Sequence, residues 1–208
     1  MADTITYEYH GSLYINMTNK CPNRCDFCLR NNSSGSIYAD NLWYEGAEPT
    51  KEVMLENIST RNLDDYKQVV FCGYGEPTCR LDDLLWLAGK IKEKGNYSIR
   101  INTNGMSDLI NHKGKFDSVE RMKGLINVLS VSLNSDTAEG YDAICHPSFG
   151  PSAYDEILAF TKRAVDSGCF DDVVMTVVSN MDPVVIENCR KICENIGASW
   201  RVREYIES

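Results

Sequence analysis

A chain of 208 residues, 43% hydrophobic and 25% charged, is long enough to bury one sizeable core and too apolar and varied to be disordered or collagen-like. Its 30 acidic against 21 basic residues give a formal charge of −9 with no basic run, which argues against nucleic-acid backbone or anionic lipid as partners and for a small solute or another protein. With no export signal and no apolar stretch near the roughly eighteen residues of a membrane span, the sequence reads as a cytoplasmic protein with reduced thiols.

In chain order, short runs rich in β-branched residues predict strands over residues 12–18, 68–73, 97–103, 126–134, 172–179 and 199–205. Helical spacing predicts helices over 50–59, 81–94, 151–167 and 184–196, several followed by glycine. Strand followed by helix is the repeating unit, and it builds a parallel sheet with right-handed crossovers. An eight-unit barrel usually needs about 250 residues. The expectation is therefore an α/β fold, a partial (βα)6 TIM-like barrel forming one domain over residues 1–208. The longest irregular stretch, 29–48, is polar apart from a few residues such as Trp43 and Tyr44, and loops of this length are usually functional. We expect it to act as a lid.

Directly after the first predicted strand stand Cys21, Cys25 and Cys28, spaced C-x3-C-x2-C. Three thiolates within eight residues can wrap one soft metal centre, selecting zinc or iron–sulfur chemistry over magnesium or calcium. A structural zinc site closes its tetrahedron with a fourth ligand, whereas three ligands leave a position open for a substrate. His10, eleven residues upstream, is the candidate fourth ligand for zinc.

The run Thr18-Asn19-Lys20-Cys21-x3-Cys25-x-Phe27-Cys28 after a first strand resembles the radical S-adenosylmethionine (SAM) enzymes. The resemblance implies that the three cysteines hold a [4Fe–4S] cluster whose fourth iron is chelated by SAM, and that Phe27 lies near the adenine. The segment Gly73-Tyr74-Gly75-Glu76-Pro77 resembles the family's glycine-glycine-glutamate motif, departing from it at Tyr74. Its backbone is implied to receive the SAM amino group, since glycine lets main-chain carbonyls approach an ammonium closely. Ser132 and Asn134 match positions that contact the ribose or methionine moiety. The family's fifth-strand adenine motif is absent from residues 173–180, where a valine wall could pack on the ring instead.

More narrowly, Leu13-Tyr14-Ile15-Asn16, Asn102-Thr103-Asn104-Gly105, Ser130-Val131-Ser132-Leu133-Asn134, Thr176-Val177-Val178 and Arg201-Val202-Arg203 make the chain similar to TatD-associated radical SAM proteins. The implied activity is reductive SAM cleavage, yielding a 5′-deoxyadenosyl radical for hydrogen abstraction, with an electron donor such as flavodoxin or ferredoxin. A glycyl-radical activase acting on a partner protein and a zinc-stabilised binding module are the alternatives.

Alternation along the strands puts Arg100, Asn102 and Asn104 on one face, Ser130, Ser132 and Asn134 on another, and Arg201, Arg203 and Tyr205 on a third. We expect these faces to point inward, with SAM against residues 73–76, Asn104, Ser132 and Asn134 at the strand ends. Interior arginines favour an anionic guest: the SAM carboxylate, on Arg203 for example, and an acidic group on a small substrate. The competing expectation is that they pair with acids such as Glu76 or Glu204. Cys189 and Cys193 lie one helical turn apart on an apolar stripe and are expected in the core rather than at a second metal.

Overall fold

The computed structural model describes residues 4–31, 36–37, 40–112 and 117–205. Its main sheet has seven strands in the order β1 (Thr6–Tyr9), β2 (Ser12–Ile15), β5 (Val69–Phe71), β6 (Ile99–Thr103), β7 (Val128–Ser132), β8 (Asp172–Val178) and β9 (Ser199–Arg203). From β2 onward every neighbouring pair is parallel, and β1 adds to the edge as an antiparallel hairpin partner of β2. The six predicted strands are all present, and β1 is an addition to them. A separate short hairpin pairs β3 (Ser36–Ile37) with β4 (Asp40–Asn41).

The helices form where local chemistry starts and stops them. Thr50 caps α1 (Lys51–Ser59) by accepting from the Val53 amide, and Asp182 caps α7 (Pro183–Ile196) with proline already in the first turn. Left-handed glycines, Gly168 and Gly197, end α6 (Ser152–Ser167) and α7. The fourth predicted helix is α2 (Leu81–Lys94). Three short helices not expected from the sequence are α3 (Ser107–His112), α4 (Ser118–Met122) and α5 (Ala138–Cys145). Among the described residues no helix is long and apolar enough to cross a membrane.

Leu13, Ile15, Val69, Phe71, Ile99, Ile101, Leu129, Val131, Met175 and Val177 join the helices in one core, so the odd face of each strand points outward to them. The other face is concave and carries the polar set. Tyr7, Leu42 and Tyr74 form a small separate cluster there, with Tyr14 and Trp43 packed against it. Cys189 and Cys193 are both fully buried in the main core, as their stripe predicts.

Candidate active site at the C-terminal strand ends

The cysteine segment leaves the C-terminal end of β2 and is held on two sides. On one side Glu48 Oε1 accepts from Thr18 Oγ1 at 2.6 Å and from the Asn19 amide at 2.8 Å. The Asn19 side chain pairs with both backbone groups of Tyr44, whose hydroxyl donates to the Asn16 carbonyl at 2.6 Å. On the other side the segment docks on the end of α5. The amides of Arg24 and Asp26 donate to the carbonyls of Cys145 and Ile144, both at 3.0 Å. A helix C-terminus leaves its last carbonyls without partners, and here the cysteine loop supplies the donors. The described end of the 29–48 stretch is thus a brace for the cysteine loop, while residues 32–35 and 38–39 of the expected lid lie outside the described residues.

The three thiols are partly exposed on this loop. Burial pushes Cys21 up to about 12, with the Glu76 charge adding to the shift, and burial also raises Cys28. Cys25 is lowered, chiefly by a hydrogen bond from the buried Cys145 thiol. Among the described residues no three His, Cys, Asp or Glu side chains are gathered closely enough to hold a metal ion. The fit to an iron–sulfur centre lies in the donor set: three soft sulfurs on one eight-residue loop, where burial disfavours the bare thiolates of Cys21 and Cys28 and a bound cation would favour them. His10 sits in the turn between β1 and β2, at the opposite end of β2 from Cys21. It does not supply the fourth zinc ligand that the sequence left open.

Gly73 and Gly75 follow β5 at the same rim. A Cβ on Gly75 would come within 2.2 Å of the Thr18 carbonyl oxygen and 2.6 Å of that of Lys20, and one on Gly73 within 2.0 Å of Asn16 Oδ1. Both glycines are therefore required by the packing of this turn against the chain leading into Cys21. Tyr74 between them is buried and packs against Trp43 in a tilted arrangement, with ring centroids 5.2 Å apart.

Glu76 is buried beneath the turn. Its Oε1 accepts from the Thr78 amide, the Thr78 hydroxyl and the Thr103 hydroxyl, and its Oε2 accepts from the Asn104 amide at 2.7 Å. Burial raises its pKa, and these donors oppose the rise. The carboxylate ties the end of β5 to the end of β6. Glu76→Ala strands at least two buried amides and is expected to cost about 3 kcal/mol or more, on the order of 6–12 °C in thermal midpoint. Glu76→Gln should not restore it, because an amide NH2 at the Oε2 position would face the Asn104 N–H. A wild-type midpoint for either variant in a calorimetric scan would contradict this role.

The tie presents Asn104, whose Oδ1 accepts from the Met106 amide while its Nδ2 is buried without a partner among the described residues. Asn134, in the left-handed region at φ 57, turns the chain after β7, and its Nδ2 lies 3.9 Å from Cys145 Sγ. Ser132 is half-buried at the end of β7. Arg203 stands over the Phe27 ring at 5.9 Å, bringing the end of β9 to the cysteine loop. Beside them a cavity of about 630 Å³ is lined by Phe27, Ser135, Thr137, Ile144, Met181 and Tyr205 among others. Of the residues assigned to cofactor binding from the sequence, Phe27 alone lines it. A smaller hollow of about 200 Å³ lies at the other end of the sheet, near Asp172 and Ser199.

Asn23, Tyr141 and Cys145 are the site-adjacent residues that the sequence reading missed as a group. Asn23 Nδ2 donates to the Tyr141 hydroxyl at 2.7 Å, beneath the cysteine loop. The available signal was Thr137, whose hydroxyl accepts from the Gly140 amide and starts α5. His146, which follows α5, reaches Asp26 at 2.9 Å within the cysteine motif.

A model of the Radical SAM superfamily matches residues 15–194. Among solved structures, native anSMEcpe with bound AdoMet is similar over 93% of this chain and 51% of its own, at 15% identity and a TM-score of 0.60. A radical SAM methyltransferase from Sphaerobacter thermophilus is similar over 96% of this chain and 57% of its own, at 17% identity and a TM-score of 0.65. The chain thus spans about half the length of these structures, and the likeness is one of fold. No curated protein matches it.

Proposed function

This chain belongs to the radical SAM superfamily, and we propose that it is a cytoplasmic enzyme in which Cys21, Cys25 and Cys28 hold the [4Fe–4S] cluster that the superfamily uses together with SAM. The observation that carries the reading is the placement of three thiols on one loop at the C-terminal rim of a parallel sheet, where such folds form their sites. When bound, the cluster and SAM supply one-electron cleavage of a carbon–sulfur bond, giving methionine and a 5′-deoxyadenosyl radical that takes a hydrogen atom from a substrate.

The protein's part is to hold and orient. The two-sided anchoring of residues 18–26 holds the backbone of the loop that carries Cys21 and Cys25 and leads into Cys28. Asn104 Nδ2 offers an unpartnered donor to an acceptor of SAM. Phe27 gives the 630 Å³ cavity an aromatic wall suited to a nucleobase, within the volume range of small-molecule pockets. In this reading the backbone of Gly73 to Glu76 receives the SAM amino group, with Ser132, Asn134 and Arg203 completing the rim.

Within the superfamily we place the chain with the TatD-associated radical SAM proteins, on the residue stretches quoted above. Its partners in this reading are a small anionic substrate and a flavodoxin- or ferredoxin-type donor. Iron and sulfide analysis after anaerobic reconstitution tests the assignment. We expect about four irons per chain, and one tightly held zinc with no uptake of iron would overturn it.

A further inference from the structure

The concave face contains two guanidinium groups that the cluster and SAM assignments leave unused. Arg100 Nη2 donates to the Tyr14 hydroxyl at 2.9 Å and stands over that ring at 5.9 Å. Arg201 Nη2 donates to Ser130 Oγ at 2.8 Å, reaching across β8 to β7. The two are near enough that Arg100 helps burial to lower the Arg201 pKa.

Neither guanidinium pairs with a carboxylate among the described residues, although Arg61, Arg80, Arg121, Arg163 and Arg190 all do. The acids expected from sequence to neutralise them do not. Glu76 is committed to Thr78, Thr103 and Asn104, and Glu204 forms no ion pair with either. Arg100 Nε and Asn102 Oδ1, on neighbouring inward positions of β6, are both buried without a partner. A buried donor on a cation with nothing to receive it is costly. Arg201 remains open to solvent, so the place is reachable.

We infer that Arg100 and Arg201, with Tyr14 and Ser130 as neutral supports, form the binding site for an oxyanion, a carboxylate or phosphate, of the substrate. An arginine fork fits either group bidentately. The unpartnered Asn102 Oδ1 accepts from a hydroxyl or amine beside that group. Arg201 stands level with Ser132 in the strand register and reaches down to Ser130, while Arg100 lies deeper below the SAM rim. Arg100 and Ser130 each precede the strand-end asparagines, Asn104 and Asn134, by four positions, about 13 Å of strand. A substrate anchored here extends up the concave face toward the cysteine loop.

Assignment of the oxyanion to a substrate rests on the enzymatic reading above, whereas its binding does not. The test is titration calorimetry of the full chain, as purified and after anaerobic reconstitution, with sodium phosphate and separately with sodium succinate at fixed ionic strength. The wild type should saturate with at least one of them, and the better of the two identifies phosphate or carboxylate as the group recognised. Arg100→Gln and Arg201→Gln should each weaken that binding at least tenfold while SAM affinity stays within twofold. Arg201→Lys, which keeps the charge and loses the fork, should fall between and guards against misfolding of the glutamine variants. Absence of binding by either anion, wild-type binding in all three variants, or parallel loss of SAM affinity would overturn the inference. Anion binding in a protein that never cleaves SAM would leave this site standing and remove the enzymatic reading instead.

Discussion

Replacing any one of Cys21, Cys25 and Cys28 with alanine is expected to leave a folded protein that no longer retains iron after anaerobic reconstitution and forms no deoxyadenosine. Each thiol is partly exposed on a loop whose backbone is held independently by Glu48, Tyr44 and the end of α5. Loss of one sulfur atom therefore leaves the scaffold with its anchors, and the thermal midpoint should move by no more than a few degrees. The metal centre has no such reserve, because a three-thiolate site has no spare ligand. Cys189→Ala and Cys193→Ala should behave in the opposite way, keeping iron while losing stability, since both side chains are fully buried in the core. Iron content and calorimetry on the five variants separate the two classes, and full iron retention in Cys28→Ala would contradict the assignment.

Gly75→Ala is expected to be as damaging as a far larger substitution. The added carbon would meet two backbone carbonyl oxygens, at 2.2 and 2.6 Å, and backbone cannot yield as a flexible side chain does. We expect a loss of about 3 kcal/mol, and iron retention should fall with it because the displaced carbonyls belong to Thr18 and Lys20, next to Cys21. A variant with a wild-type midpoint and full iron would show that the turn and the cysteine loop are not coupled.

Much of this arrangement was legible in the sequence because strand alternation and β-branched runs survive folding unchanged. All six parallel strands appear, and the inward placement of Arg100, Asn102, Ser130 and Arg201 follows from their two-residue spacing. The strand β1 was missed because its hairpin turn is disguised. His10 and Gly11 both have positive φ, 48 and 72, and histidine stands where Asn-Gly would have signalled the turn. The helix α5 was missed for a related reason: His146, at φ 43, ends it where glycine would mark a stop.

Other features depend on contacts that no local pattern carries. The need for glycine at position 75 comes from Thr18 and Lys20, far earlier in the chain. That neither Arg100 nor Arg201 pairs with Glu76 follows only from knowing that this carboxylate is enclosed by Thr78, Thr103 and Asn104. The brace formed by Glu48 and Tyr44 likewise lies within a stretch whose polarity reads simply as loop.

We propose that the cysteine loop builds a centre at which SAM is cleaved. That cleavage is tested most directly by reducing the anaerobically reconstituted protein in the presence of SAM and measuring methionine and 5′-deoxyadenosine. Formation of both products by the wild type, and by none of the three cysteine variants, is the predicted result. A wild-type protein that carries about four irons and binds SAM, yet forms neither product under strong reductant, would contradict it.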